Sequence, residues 1–85
     1  MTSPANLDHS EGILSGVIEI LSGIGNVSGL SPDQDFYDAG ITSVMSLPII
    51  LEVEDRYNIS VPDELFIKCR TARELAKVIA DVARA

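Results

Sequence analysis

The sequence predicts an all-α fold: a small helical bundle of three main helices plus one short helix, with a long packed loop between helices one and two. Three observations predict it. Apolar residues recur at helical spacing in three separate segments, at i, i+3, i+4 and i+7 in the first, while strand signals are poor. Capping residues, glycines and an asparagine stand where such segments would start and stop. The 85 residues are 46% hydrophobic with no Trp and little aromatic content, so a single, mostly aliphatic core is what the chain can build.

Residues 1–7 read as a flexible tail, and residues 8–85 as the domain. The first helix runs from Asp8 to about Ile24, with Leu14, Val17, Ile18 and Leu21 on its buried face and Asp8 or Ser10 as its cap. The run Ser22-Gly23-Ile24-Gly25-Asn26-Val27-Ser28-Gly29 ends it, because paired glycines favour left-handed turns. In the long loop that follows, Leu30, Phe36 and Ile41 are apolar, which places the loop against the core.

The second helix begins near Thr42 or Ser43 and reaches about Tyr57, with Val44, Leu47, Ile50 and Leu51 as its apolar stripe. Pro48 would then sit in the second turn and kink it, so either the first turn is irregular or regular helix starts later. Glu52, Glu54 and Asp55 collect toward the C-terminal half, against the helix dipole, an arrangement stability would not choose. Asn58 is a plausible stop, and Ile59-Ser60-Val61 a short extended link. Pro62-Asp63-Glu64-Leu65-Phe66 has proline early and acids next, the pattern of a one-turn helix. Thr71-Ala72-Arg73-Glu74 is a capping box, opening a last helix to about Ala83 with Leu75, Val78, Ile79 and Val82 inward.

Charge and composition narrow the function. Residues 1–67 hold 11 Asp or Glu against Arg56 alone, −10; residues 68–85 hold five basic and two acidic residues, +3. That polarity argues against nucleic acid and favours basic patches on protein partners. No apolar run approaches the ~20 residues of a membrane span. Met1 to Asn6 has neither a basic nor an apolar region, so no signal peptide is expected, and a cytoplasmic monomer is. The single cysteine, Cys69, fits a reducing compartment and reads as a small, partly buried residue.

No catalytic set emerges, and the chain is not expected to be an enzyme. A nucleophilic serine needs a base within reach, and the one histidine, His9, lies in the first turn of the chain. Asp33, Asp35 and Asp38 cluster, but counting from Asp33 the EF-hand pattern fails at Tyr37, Asp38 and Val44, so turn chemistry and capping explain them. Ser43 stands apart: it lies where a glycine-containing loop turns into a helix whose N-terminus favours an anion, which suits a hydroxyl bearing a phosphodiester-linked group.

Asp35-Phe36, Gly40-Ile41, Ser43, Leu47, Glu54-Asp55, Tyr57-Asn58-Ile59 and Val61-Pro62-Asp63-Glu64 stand in an order and spacing that resembles the acyl carrier proteins, over about residues 10–83. The resemblance implies a non-catalytic carrier. Ser43 would bear a covalent 4′-phosphopantetheine, donated by coenzyme A through a magnesium-dependent phosphopantetheinyl transferase, and acyl groups would ride on it as thioesters. Glu52, Glu54 and Asp55 would be read by the basic docking patches of acyl-loading and acyl-transferring enzymes, with Val44 and Met45 as apolar contacts beside the arm. The aliphatic faces led by Val17, Leu21, Leu47, Leu51, Leu65 and Leu75 could part to shelter an acyl chain.

The departures matter too. Thr42 stands where the family usually has Asp, and Met45 and Pro48 where acids are common. They point to a specialised carrier for lipid or secondary-metabolite synthesis. Two rivals remain: an aminoacyl or peptidyl carrier, and a carrier-like interaction module that is never modified. Ala39-Gly40-Ile41-Thr42-Ser43 differs from the Gly-Gly-x-Ser loop common in peptide-synthetase carriers, and an intact Ser43 speaks against the unmodified module.

Overall fold

The computed structural model describes residues 5–84, and the side chains of residues 12–84. The elements, in chain order, are α1 (Ala5–Gly25), a 3-10 turn (Ser43–Met45), α2 (Ser46–Tyr57), α3 (Asp63–Ile67) and α4 (Ala72–Arg84). This is the expected helical bundle, three main helices and one short one. α1 begins at Ala5, ahead of the expected Asp8. The side chains of Asp8, His9 and Ser10 and residues 1–4 of the expected tail lie outside the described residues.

α1 packs chiefly against α4 and then α2. It buries Ile13, Val17, Ile20 and Leu21, while Leu14 and Ile18 are only half-buried, so the predicted face is rotated toward Ile13 and Ile20. Asn26, not a glycine, makes the stop: it adopts φ 55°, and the N–H of Val27 donates to the carbonyl of Ser22 at 3.1 Å. The long loop packs on the core as expected, with Leu30, Phe36 and Ile41 buried. Phe36, fully enclosed, stacks on Phe66 with ring centroids 6.3 Å apart; burying a side chain of this size contributes about 1.5–3 kcal/mol.

The loop is strapped to the α3–α4 junction. The N–H of Phe36 donates to the Arg70 carbonyl at 2.8 Å, and that of Arg73 to the Pro32 carbonyl at 3.0 Å. Arg70 Nε reaches Asp35 at 2.7 Å and Arg73 Nε reaches Asp33 at 2.7 Å. The other Asp35 oxygen accepts the N–H groups of Tyr37 and Asp38, an Asx turn. Two of the clustered aspartates are therefore turn and ion-pair residues. The C-terminal positive charge is correspondingly reduced, since Arg70 and Arg73 neutralise acids of the loop.

α2 corrects the predicted register. Its buried residues are Ile49, Ile50 and Val53, whereas Val44, Leu47 and Leu51 are 84%, 60% and 55% exposed. Of the predicted stripe only Ile50 faces the core, so Leu47 and Leu51 are not among the interior side chains able to shelter a chain. Pro48 explains the shift. The helix opens only at Ser46, after the 3-10 turn, so Pro48 falls in the first turn, where an N–H has no intrahelical partner to lose. Asn58 ends α2 in the left-handed conformation, φ 55° and ψ 50°, as read.

α4 opens with the predicted capping box. Thr71 Oγ1 accepts the N–H of Glu74 at 3.1 Å, and Glu74 Oε1 accepts the N–H groups of Arg70 and Thr71 at 2.7 and 3.3 Å. Its inner face is Ala72, Leu75, Ala76 and Ile79, with Val78 half-buried beside them. Cys69 is 2% exposed and donates its thiol to the Leu65 carbonyl at 3.4 Å. Burial pushes this thiol up to about 11, with the nearby Glu74 charge adding to the shift.

Candidate functional site

Ser43 is built from the loop upward. Ile41, 2% exposed, anchors the end of the loop in the core, and its N–H donates to the Phe36 carbonyl at 3.0 Å. Gly40 precedes it at φ 123°, a conformation that a side chain would strain. Gly25, at the end of α1, lets this anchor sit close, since a Cβ there would lie 2.7 Å from Ile41 Cγ1. Thr42 is then extended, at φ −109° and ψ 164°, and Ser43 starts the 3-10 turn. Two bonds hold the turn: the N–H of Met45 to the Thr42 carbonyl at 3.0 Å, and Ser46 Oγ–H to the Ser43 carbonyl at 2.7 Å.

The turn contains no buried residue, so the Ser43 hydroxyl stands in solvent on a pinned backbone. Thr42 makes no side-chain capping bond to the turn. Neither the 3-10 turn nor the first turn of α2 contains an acid. An exposed primary hydroxyl of this kind can take a covalent group without unfolding anything, and the phosphodiester of 4′-phosphopantetheine fits it sterically.

The other expected site residues separate into two sets. Val44, Glu52 and Asp55 are exposed on one face of the second helical segment. Met45 and Glu54 are half-buried. Met45 packs toward the end of α1, where a Cβ on Gly25 would lie 3.9 Å from its sulfur. Glu54 turns to the chain itself, its Oε2 accepting the N–H of Val61 at 2.8 Å and so fixing the link into α3. Sequence reasoning missed Leu47, Leu51 and Ile67 (70% exposed) as surface residues beside the site. The available signal was a second apolar stripe in the same helix, Ile49, Ile50 and Val53.

The α1–α2 seam is closed by polar contacts. Arg56 Nη2 reaches Glu19 at 2.8 Å and its Nη1 donates to the Gly16 carbonyl at 3.2 Å, while Tyr57 Oη donates to the Ile13 carbonyl at 3.3 Å. The hydrogen bond that Arg56 donates to the Glu19 carboxylate holds its guanidinium above the usual range, and burial pushes the Tyr57 hydroxyl up. Toward Ser43 the seam widens into an open groove of about 320 Å³, lined by Glu19, Ile20, Gly23, Ile24, Glu52 and Arg56.

Comparison with known proteins agrees with this geometry. The family described as phosphopantetheine attachment site matches residues 14–79, a span that includes the whole loop, Ser43 and α2. The chain is 30% identical over 80 residues to an acyl carrier protein of Streptomyces coelicolor (strain ATCC BAA-471 / A3(2) / M145), a match covering 93% of this chain and 83% of that protein. No solved structure matches. Among the described residues, no helix is long and apolar enough to cross a membrane. With a phosphopantetheine-attachment domain over most of its length and a relative of that kind along nearly all of it, the chain belongs to the acyl carrier protein family.

Proposed function

We propose that the protein is a non-catalytic acyl carrier whose arm, 4′-phosphopantetheine, is attached to Ser43. The observation that carries this is the exposed Ser43 hydroxyl at the head of a turn held from both sides. When bound, the group supplies a flexible chain ending in a thiol that holds an acyl cargo as a thioester. The protein's own part is presentation. Ser43 fixes the point of attachment, Ile41 and Gly40 fix the loop that delivers it, and the exposed face with Val44, Glu52 and Asp55 meets the partner. Met45 and Glu54, half-buried at its edges, keep that face in register. Attachment at a docked surface raises the effective concentration of the cargo at the partner's active site, so brief, weak docking suffices.

The partners in this reading are a phosphopantetheinyl transferase and the acyl-loading and acyl-transferring enzymes of lipid or secondary-metabolite synthesis. The compartment is the cytoplasm and the working form a monomer. The lack of acid in the first turn supports service to a narrow set of enzymes, because the usual electrostatic cue next to the serine is missing. Intact mass after incubation with coenzyme A, magnesium and a broad-specificity transferase tests the reading. The expected result is a gain of one phosphopantetheine in the wild type and none in Ser43→Ala. A modified Ser43→Ala protein would sink the assignment.

A further inference from the structure

Ser46 and Pro48 shape the segment that carries Ser43, and neither is a core residue: Ser46 is half-buried and Pro48 exposed. Pro48 has no N–H to give the Val44 carbonyl four residues back, and in a helix its ring would crowd that carbonyl. α2 therefore cannot grow back through Ser43, and it opens at Ser46. Ser46 then donates twice to one acceptor. Its backbone N–H and its Oγ–H both go to the Ser43 carbonyl, the latter at 2.7 Å. Together the two residues leave 43–45 as a 3-10 turn with no buried residue to hold it by packing. The arrangement gives up helix. Threonine is a preferred cap, and Thr42 stands extended just ahead of Ser43, yet it makes no capping bond. With an N–H available at position 48, a capped α2 could begin three residues earlier, at Ser43.

A 3-10 turn differs from an α-helix by about 0.5 Å of rise and about 20° of rotation per residue, so rewinding three residues would carry Ser43 about 1.5 Å along and about 60° around α2. Attachment is sensitive to that. Ser43 Oγ forms a bond to the phosphorus of coenzyme A on the pantetheine side. The adenosine bisphosphate half leaves with the bonding electron pair, and the hydroxyl proton passes to a base of the transferase. Attacking oxygen, phosphorus and leaving oxygen must come into line, and a displacement of about 1 Å at such a centre can cost on the order of a hundredfold. We propose, resting on the Ser43 reading above, that Ser46 and Pro48 are positioning residues for this transfer: they keep residues 43–45 in the 3-10 form and so aim the Ser43 hydroxyl relative to the α2 face that meets the transferase. Both act through the backbone, Ser46 by its two bonds to the Ser43 carbonyl and Pro48 by where it lets α2 begin. Their effect falls on the aim of Ser43 and leaves docking alone.

The test is steady-state modification of the full chain by the broad-specificity transferase with coenzyme A and magnesium, read by mass over a range of carrier concentrations. Backbone chemical shifts of residues 42–48 are measured on the same variants. Pro48→Ala should gain helical shifts at 43–45 and lose about tenfold in kcat, with KM within about twofold of wild type. Its Tm should hold or rise, because proline is the weakest helix former, so the lost rate is not a lost fold. Ser46→Ala should lose about three- to fivefold in kcat, and Ser46→Thr, which keeps the hydroxyl, should regain most of it. Helical shifts with kcat unchanged or raised would overturn the proposal. So would a loss confined to KM, which would assign both residues to docking. Shifts at 43–45 that move in neither Pro48→Ala nor Ser46→Ala would overturn it too, since something else would then set the turn. Each of these results with normal mass gain in the wild type strikes this inference alone, while no gain in the wild type strikes the Ser43 reading and this one with it.

Discussion

Gly16 and Tyr57 form a contact that only glycine permits. A Cβ at Gly16 would overlap Tyr57 Oη and come within 3.3 Å of its Cζ, so α2 lies on α1 through a missing side chain. Gly16→Ala forces the ring away and breaks its bond to the Ile13 carbonyl. Overpacking of about 1–3 kcal/mol outweighs the ~1 kcal/mol of helix propensity that alanine returns, so a lower denaturation midpoint is expected. Adding Tyr57→Phe, which removes the clashing oxygen, should recover part of the loss; a double variant no more stable than Gly16→Ala would show the contact is not the cause. Nothing in the sequence marks Gly16, because a glycine inside an apolar-periodic segment looks the same whether or not another chain segment crosses it. Asn58 and Thr71 were legible, since a left-handed stop and a capping box are local chemistry. Asn26 was hidden by the glycines around it, any of which could have made the same turn.

At the scale of elements, α2 is where sequence and structure part. Its two apolar stripes, Val44-Leu47-Leu51 and Ile49-Ile50-Val53, both satisfy helical periodicity, and only the packing of α1 and α3 decides which one is inside. Periodicity gives the element and leaves its rotation open. Alanine substitution separates the two: Ile49→Ala should cost about 2–5 kcal/mol, and Leu47→Ala no more than about 0.5 kcal/mol, read from urea midpoints. The strap between the loop and α4 gives a second test. Hydrogen bonds from Arg73 and Arg70 hold the Asp33 and Asp35 carboxyls below their ordinary value of 3.8. A carboxyl depressed in the folded chain contributes stability above that ordinary value and loses it as pH falls through the lower folded value. Stability should therefore decline as pH falls below 3.8, and Arg70→Gln should flatten that decline by lowering the neutral plateau toward the acid value. An unchanged acid limb would mean that the strap carries no proton linkage.

For the molecule as a whole, fold class, element order and the place of Ser43 at the end of the packed loop were readable because each rests on local patterns: periodicity, caps, and a loop–serine–helix order. The charge map was only half readable. The sequence shows an acidic body and a basic C-terminal segment, but four arginines are spent on ion pairs, Arg56 with Glu19, Arg70 with Asp35, Arg73 with Asp33 and Arg84 with Asp81. Which charges face outward is a property of the fold. The same holds for sulfur. The chain has one cysteine, and it is sealed in the core with its thiol raised to about 11, so almost none of it is the reactive thiolate at neutral pH. A native sample should take up no maleimide before modification and one after it, with one more in each case once urea opens the core. A protein that carries activated esters on a borrowed thiol would otherwise hold a competing nucleophile of its own. In the carrier reading proposed above, burying Cys69 leaves a thioester cargo no second thiol on the folded chain to migrate to.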